Sequence, residues 1–576
     1  MSSTQSCGVR CSSLTPTDVV GGFRNDGDFA EGDTAAGVEV VGTGEVEGTV
    51  SVRIRKCIHS NTLLTLSVSE YIYIQSTEKS ASIQSTLIKA VQSSQLNLAC
   101  SKLRNTLTEV CSAITSTTMG EAEVKVKRIS SVAPAIPTAR HTMFLSNLDL
   151  IWLPINKLPR ILFYKTSQDY FSIVDSLQKS LSQVLVDFYP LAGRLEKGVS
   201  GRPQVDCNDG GVEFIEASIK VAFHDLEKDG FQHKPFFESL VRTDRDNHSA
   251  LFLTIQVTEF EGGGICLGTT FHHVIADGNS FWHFMKAWAE CSRGLPVANP
   301  PHHARTIFKS QNKRPFSSIS YQAHQLLNDR FKGAQIFKFT TDANSQTESA
   351  ETIHARKYDP KPEEVGEVIW SSFHFTENMI RELKERAGVS SSVVAVSAQF
   401  WRCIMKAREV AEEESVRFGI SADFRGRVNP PLPSTYFGNC ICLGSVQTTA
   451  KTLLSEDISF AAGLIQEIIN SCTREEQLDY LIEWVESREK DILSLYSELH
   501  VCLGTYMAGS PRFPVYNIDH GWGNPMNVQI VAFRAIGVMV LDGVNDGGKG
   551  IVVSTCLPRH RMEVLSRLLF AFDDRV

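Results

Sequence analysis

Phe271-His272-His273-Val274-Ile275-Ala276-Asp277-Gly278-Asn279 reads as the joint between a strand and a helix. Upstream, Leu251, Leu253, Ile255 and Val257 fall on one side of a half-buried strand. Gly262-Gly263-Gly264 turns the chain, and a second strand runs from Ile265 towards Phe271. Downstream, Asn279 or Ser280 is expected to cap a helix whose apolar side is Phe281, Phe284, Met285 and Trp288, with Gly294 ending it. A histidine at the end of a buried strand is held by a rigid element yet reaches the space beyond the sheet, where ligands bind. Its ordinary pKa of ~6.5 suits proton transfer near neutrality. His273 is therefore a candidate base, against the competing reading of a satisfied core residue. Asp277 followed by Gly278 suggests a tight loop fixed by a buried carboxylate. Successive strand residues face opposite ways, so His272 and His273 would not share one ion, and no metal is expected.

Further out, Ile173, Leu177, Leu181, Val184, Leu185 and Phe188 share one face of a helix over 171–188 that Pro190 stops. A second strong helical pattern covers 393–408, with Ser390-Ser391-Ser392 as cap candidates. The alternation of strands and helices indicates an α/β chain. A polar stretch with Pro-rich ends, ending near 366, divides it into an N-terminal domain, 119–305, a linker, 306–366, and a C-terminal domain, 367–576. Residues 1–118 differ in texture. They are rich in Ser and Thr, acidic and Gly-rich from Asp26 to Glu47, and precede the first tryptophan, Trp152. Residues 63–74 suggest a strand and 86–113 a loose helix, but the segment is too poor in aromatics for an obvious core of its own. The leader is expected to be disordered or a gene-model extension, with Met119 as an alternative start that leaves 576 − 118 = 458 residues. Its Ser and Thr also suit a transit peptide, against which the acidic stretch argues.

The totals exclude several classes. A net charge of −8 without a basic stripe argues against a nucleic-acid partner. No apolar run approaches the ~18 residues of a membrane span, and no secretory signal opens the chain. Fourteen cysteines, scattered without CxxC pairs, read as reduced thiols of a cytoplasmic protein.

The run HHVIADG resembles the HxxxD(G) signature of the plant BAHD acyltransferases, part of the wider coenzyme A-dependent acyltransferase superfamily. Its companions strengthen the likeness. Asp519-His520-Gly521-Trp522-Gly523, within GSPRFPVYNIDHGWGNP (509–525), resembles the family's DFGWG motif. DFRGRVNPPLPSTYFGNC (423–440) and DFYPLAGRL (187–195) resemble two further blocks, and together they cover essentially all of 119–576. His520 departs from the usual Phe, and Asn524 stands where a basic residue is common.

The resemblance implies two similar chloramphenicol-acetyltransferase-like domains, with mixed sheets and helices, facing across a solvent channel. Acyl-CoA and a small-molecule acceptor enter from opposite mouths, as co-substrates and with no permanently bound cofactor. It implies that His273 is the catalytic base and that Asp277 pairs with Arg425 or Arg427 as a structural motif. Asp519 and Trp522 become architectural, with Gly521 and Gly523 permitting turns that a side chain would block. Ser391 and Ser392 resemble a coenzyme-binding position; plain helix capping is the alternative. Arg402 and Lys406 suit either a phosphate or a solvated face. Arg512 resembles an acceptor-carboxylate ligand of the hydroxycinnamoyl branch, whereas YFGNC and GSPRF resemble anthocyanin and flavonoid-glucoside acyltransferases. The expected reaction is malonyl- or hydroxycinnamoyl-type transfer to a phenolic or glycosidic hydroxyl, or to an amine, by a monomeric enzyme. A condensation-domain-like amide former shares the HHxxxDG pattern but normally works beside carrier domains, and none is evident. A non-catalytic accessory relative would have lost the histidine.

Overall fold

The computed structural model describes residues 122–155, 157–243, 251–309, 320–324, 331, 334–340, 367–487, 505–531, 537–545 and 548–571, together with five strands among the first 75 residues. The chain divides into two compact units, 1–120 and 121–576. In the first, strands Ala36–Val46, Thr49–Ile58 and Ser69–Gln75 form an antiparallel three-stranded sheet. The strand expected over 63–74 is thus seen from Ser69 on, and the helix expected over 86–113 lies outside the described residues.

The second unit is built on two mixed sheets. One has six strands, in the order Asn527–Ile530, Leu158–Tyr164, Ile265–Phe271, Leu253–Glu261, Val212–Ala222 and Val124–Val132. Only Val212–Ala222 and Leu253–Glu261 run parallel in it. Its central strand, Ile265–Phe271, is buried along its whole length, as a strand covered on both faces must be. The other has eight strands, in the order Ser320–His324, Gln335–Thr340, Ile441–Thr449, Ser415–Asp423, Thr505–Gly509, Val538–Asp542, Ile551–Pro558 and Val368–Phe375. Two chain segments cross the division suggested by the sequence. Asn527–Ile530 adds an edge strand to the six-stranded sheet, and Ser320–His324 and Gln335–Thr340, within 306–366, pair into the eight-stranded one.

Helices pack where the apolar periodicity places them. Tyr170–Val184 buries Ile173, Leu177, Leu181 and Val184, and a short 3-10 turn, Tyr189–Ala192, begins at the expected stop. The helix after the central strand is Gly278–Ser292, and it lies against Tyr170–Val184 with Trp282, Phe284, Met285 and Trp288 in the core. Ser392–Ala407 packs the second core through Val394, Phe400, Trp401 and Ile404. Arg402 on that helix is buried and donates to the Glu456 carbonyl, so it lies on neither a solvated face nor a phosphate-facing surface. The long stem packs along apolar surface while its head finds a backbone acceptor.

Candidate active site

The site assembles where the loop after the central strand meets the long connection, residues 424–440, between strands Ser415–Asp423 and Ile441–Thr449. His273 lies two residues past the strand end, its backbone N–H donating to the Ile155 carbonyl at 3.0 Å. The residue retains 8% exposure, and its ring stacks on Trp152 with centroids 4.1 Å apart and planes 9° from parallel. Nδ1 is 3.0 Å from Asn439 Oδ1. Nε2 makes no hydrogen bond with the described residues. Burial holds the imidazole below its ordinary value, so it is neutral at pH 7 and able to take a proton. His272 is different in kind: its Nδ1 accepts from the Val274 N–H at 3.2 Å, and burial, helped by the nearby His273 and Lys157, pushes it down to about 3.

Asp277 makes no hydrogen bond with His273; all its partners lie in a fully paired pocket. Arg425 donates to both carboxylate oxygens, Nη1 to Oδ2 at 2.8 Å and Nη2 to Oδ1 at 2.9 Å, and the Cys440 N–H reaches Oδ2 at 3.0 Å. Desolvation alone would raise this carboxyl, but the guanidinium and the two backbone N–H groups hold it below the usual range. Asp277 is also the helix cap, accepting from the Ser280 N–H at 2.9 Å. The cap is therefore neither Asn279 nor Ser280: Asp277 keeps the extended backbone of a cap, and the helix starts at Gly278. Ser280 is spent on the loop instead, donating through Oγ to the Gly438 carbonyl at 2.9 Å. A Cβ on Gly278 would lie 2.8 Å from the Phe513 ring, so the GSPRF block packs directly on the motif. Of the two arginines offered as partners, Arg425 makes the pair; the described contact of Arg427 is a backbone donation to Phe424.

Behind Asn439 lies a second buried pair that sequence reasoning missed. Asp149 Oδ1 is 2.8 Å from Arg305 Nη1 and accepts from the Asn439 N–H and side-chain Nδ2 at 2.9 Å each. Arg305 Nη2 donates to the Ile275 carbonyl at 2.6 Å. The spacing Ser146-x-x-Asp149 was legible as a capping box, and the structure has one there. Nothing local links it to a residue 290 positions away.

Among the described residues, the remaining sequence candidates make no hydrogen bond with His273 or Asp277. Ser391 caps the helix starting at Ser392, its Oγ accepting from Val394 N–H at 3.3 Å. Arg512 is exposed, and its guanidinium makes no hydrogen bond or ion pair with the described residues. Asp519 Oδ1 accepts from the N–H groups of Gly521 and Gly523 at 2.8 and 2.9 Å, and both glycines have positive φ, 108° and 99°. Trp522 stacks on His520, which is buried against Trp288 and bonded through Nδ1 to Ser292 Oγ at 2.9 Å. The imidazole in the usual Phe place is thus packed and partnered at Nδ1, its Nε2 buried with no hydrogen-bond partner among the described residues, and burial pushes it down to about 3.

Known proteins share this architecture. The chain is 30% identical over 461 residues to a hydroxycinnamoyltransferase of Narcissus pseudonarcissus, covering 78% of this chain and 99% of that one. It is 28% identical to both the shikimate O-hydroxycinnamoyltransferase of Nicotiana tabacum and phenolic glucoside malonyltransferase 1 of Arabidopsis thaliana, covering 78% of this chain in each case and 100% and 97% of theirs. Vinorine synthase superposes with a TM-score of 0.57 at 21% identity, over 77% of this chain and 98% of its own. F. graminearum TRI101, solved with coenzyme A and T-2 mycotoxin, gives 0.58 at 14% identity, over 74% and 97%. These two show the two-domain chloramphenicol-acetyltransferase-like fold. With residues 122–568 matching the model of the Transferase family, the chain belongs to that family, the BAHD acyltransferases.

Proposed function

We propose that this acyltransferase moves an acyl group from a coenzyme A thioester to an acceptor hydroxyl or amine, with His273 Nε2 as the base. The observation that carries the reading is a buried, neutral imidazole whose Nδ1 is engaged by Asn439 while Nε2 has no hydrogen-bond partner among the described residues. Nε2 takes the acceptor's proton as its oxygen or nitrogen attacks the thioester carbonyl. The tetrahedral intermediate then expels the thiolate, and the imidazolium returns the proton to it. A positioned base contributes about 10²–10⁴-fold, and holding both substrates together supplies much of the remainder.

The relatives support a hydroxycinnamoyl or malonyl donor and a phenolic or glycosidic acceptor. Arg512 is the proposed ligand for a substrate carboxylate, its exposed guanidinium suiting a bidentate contact. Ser391 and Ser392 sit at the start of a 16-residue helix, where the N-terminus also favours a coenzyme phosphate. Asp277, Arg425, Asp519 and Trp522 are assigned to architecture, and the acyltransferase itself to residues 119–576. The test is a mass-spectrometric screen of malonyl-, acetyl-, coumaroyl- and caffeoyl-CoA against phenolic and glycosidic acceptors. Acylated product with stoichiometric free coenzyme A is expected from at least one pair; no donor consumed with any acceptor would remove the reading.

A further inference from the structure

We propose that Asp149, held by Arg305, is a positioning residue that sets the tautomer of His273 through the side-chain amide of Asn439. The inference rests on the base reading above and explains how the base is kept in its usable form.

An asparagine amide has a donor end and an acceptor end, and its surroundings decide which way it points. Around Asn439 Nδ2 stand three acceptors: Asp149 Oδ1 at 2.9 Å, the His273 carbonyl at 2.8 Å and the Val274 carbonyl at 3.4 Å. With the amide flipped, its oxygen would face a carboxylate and two carbonyls, all repulsive, and its amino group would face His273 Nδ1. Only one orientation satisfies the site, and it aims Oδ1 at Nδ1 across 3.0 Å. An oxygen there can only accept, and the ring's own main-chain carbonyl is a further acceptor that asks for the same proton, so Nδ1 carries it and Nε2 keeps its lone pair. Of the three acceptors only Asp149 is charged, which makes it the strongest discriminator between the two amide orientations.

Asp149 is itself immobilised. Oδ2 accepts from the N–H and Oγ of Ser146 at 2.8 and 2.7 Å, and Oδ1 also meets the Asn439 backbone N–H and Arg305 Nη1. Asp149 and Asn439 are wholly buried, and Arg305 is 1% exposed. Electrostatic and hydrogen-bond interactions are strongest in such a setting, and a mispaired partner is most costly there. Arg305 closes the circuit by donating to the Ile275 carbonyl, two residues beyond His273.

The test reads the tautomer directly. Imidazole ¹⁵N signals of the full chain, assigned by the loss of one set in His273→Gln, should show a protonated Nδ1 and an unprotonated Nε2. An Nε2–H ring in the wild type overturns the proposal without any variant having to fold. In Asp149→Asn a mixture of tautomers should appear, and kcat should fall about tenfold or more, within the range a positioned base supplies, with KM little changed. Asp149→Asn added to Asn439→Ala should lower kcat little further, because the two act through one contact. A loss of activity with the ring tautomer unchanged, or full additivity of the two substitutions, would reduce Asp149 to a packing role and contradict the inference. Should His273→Ala turn over like wild type, the base reading fails, and the ring's tautomer still decides the relay on its own.

Discussion

At the scale of single residues, His273 and Asp277 draw attention because their signal is local: a histidine just past a strand end and a carboxylate four positions on share one loop. Asn439, Trp152, Asp149 and Arg305 were not, since the His273–Asn439 contact spans 166 positions and the Asn439–Asp149 contact 290. The cap was misread for a related reason, because a carboxylate already assigned to an arginine also accepts from the helix N-terminus. The depressed value of His273 fixes the form of the pH profile. In the proposed base role the reactive state is the neutral ring, so kcat/KM should be level at pH 7 and lose its acid side only below about 6.5, the ordinary histidine value. An acid limb centred above that value would mean that the imidazole is not desolvated in the working enzyme.

At the scale of elements, the connection 424–440 is the part that turns two halves into one site. It delivers Arg425 to Asp277, Gly438 to Ser280 and Asn439 to His273. The strands on either side were readable as patterns; the inward reach of their connection is a tertiary fact that no local propensity encodes. Asp277→Asn leaves the buried Arg425 guanidinium with only the half-exposed Asp423, 3.0 Å away, as countercharge, and breaking a buried pair typically destabilises by about 3–5 kcal/mol. Thermal melting should show the loss, and turnover per folded molecule should change less than stability does. Unchanged melting with abolished turnover would instead make Asp277 a chemical participant. Gly438 is held by close approach: a Cβ would lie 3.0 Å from Tyr436 Oη and 3.2 Å from Arg305 Cζ. Gly438→Ala should therefore lower stability by about 1–3 kcal/mol, as overpacking does, a shift that denaturant titration resolves.

At the scale of the whole molecule, the alternation of strands and helices identified an α/β chain, and its motif blocks fall in order between 187 and 525. The edge strand Asn527–Ile530 and the two strands within 306–366 escaped notice, because runs of four to six residues are too short to establish a period. Buried histidines make the folded chain acid-sensitive. His272 and His520 are pushed down to about 3 and His303 to about 4, so each is neutral when folded while the unfolded chain takes up protons from about pH 6.5. Their contribution is complete above 6.5 and is lost from there down towards the folded values, by up to about 1.4 kcal/mol per pH unit for each group. His520→Phe should flatten that part of the melting-temperature profile; an unaltered slope would show that His520 does not contribute. A chain begun at residue 119 should keep the wild-type turnover, since the matched family region starts at 122. Thiol release from acyl-CoA in the presence of acceptor, comparing wild type with His273→Ala at matched folded concentration, tests the role of this imidazole most directly. Loss of the imidazole should lower the rate roughly 10²–10⁴-fold with the melting temperature nearly unchanged; equal rates from the two proteins would show that His273 is not the base.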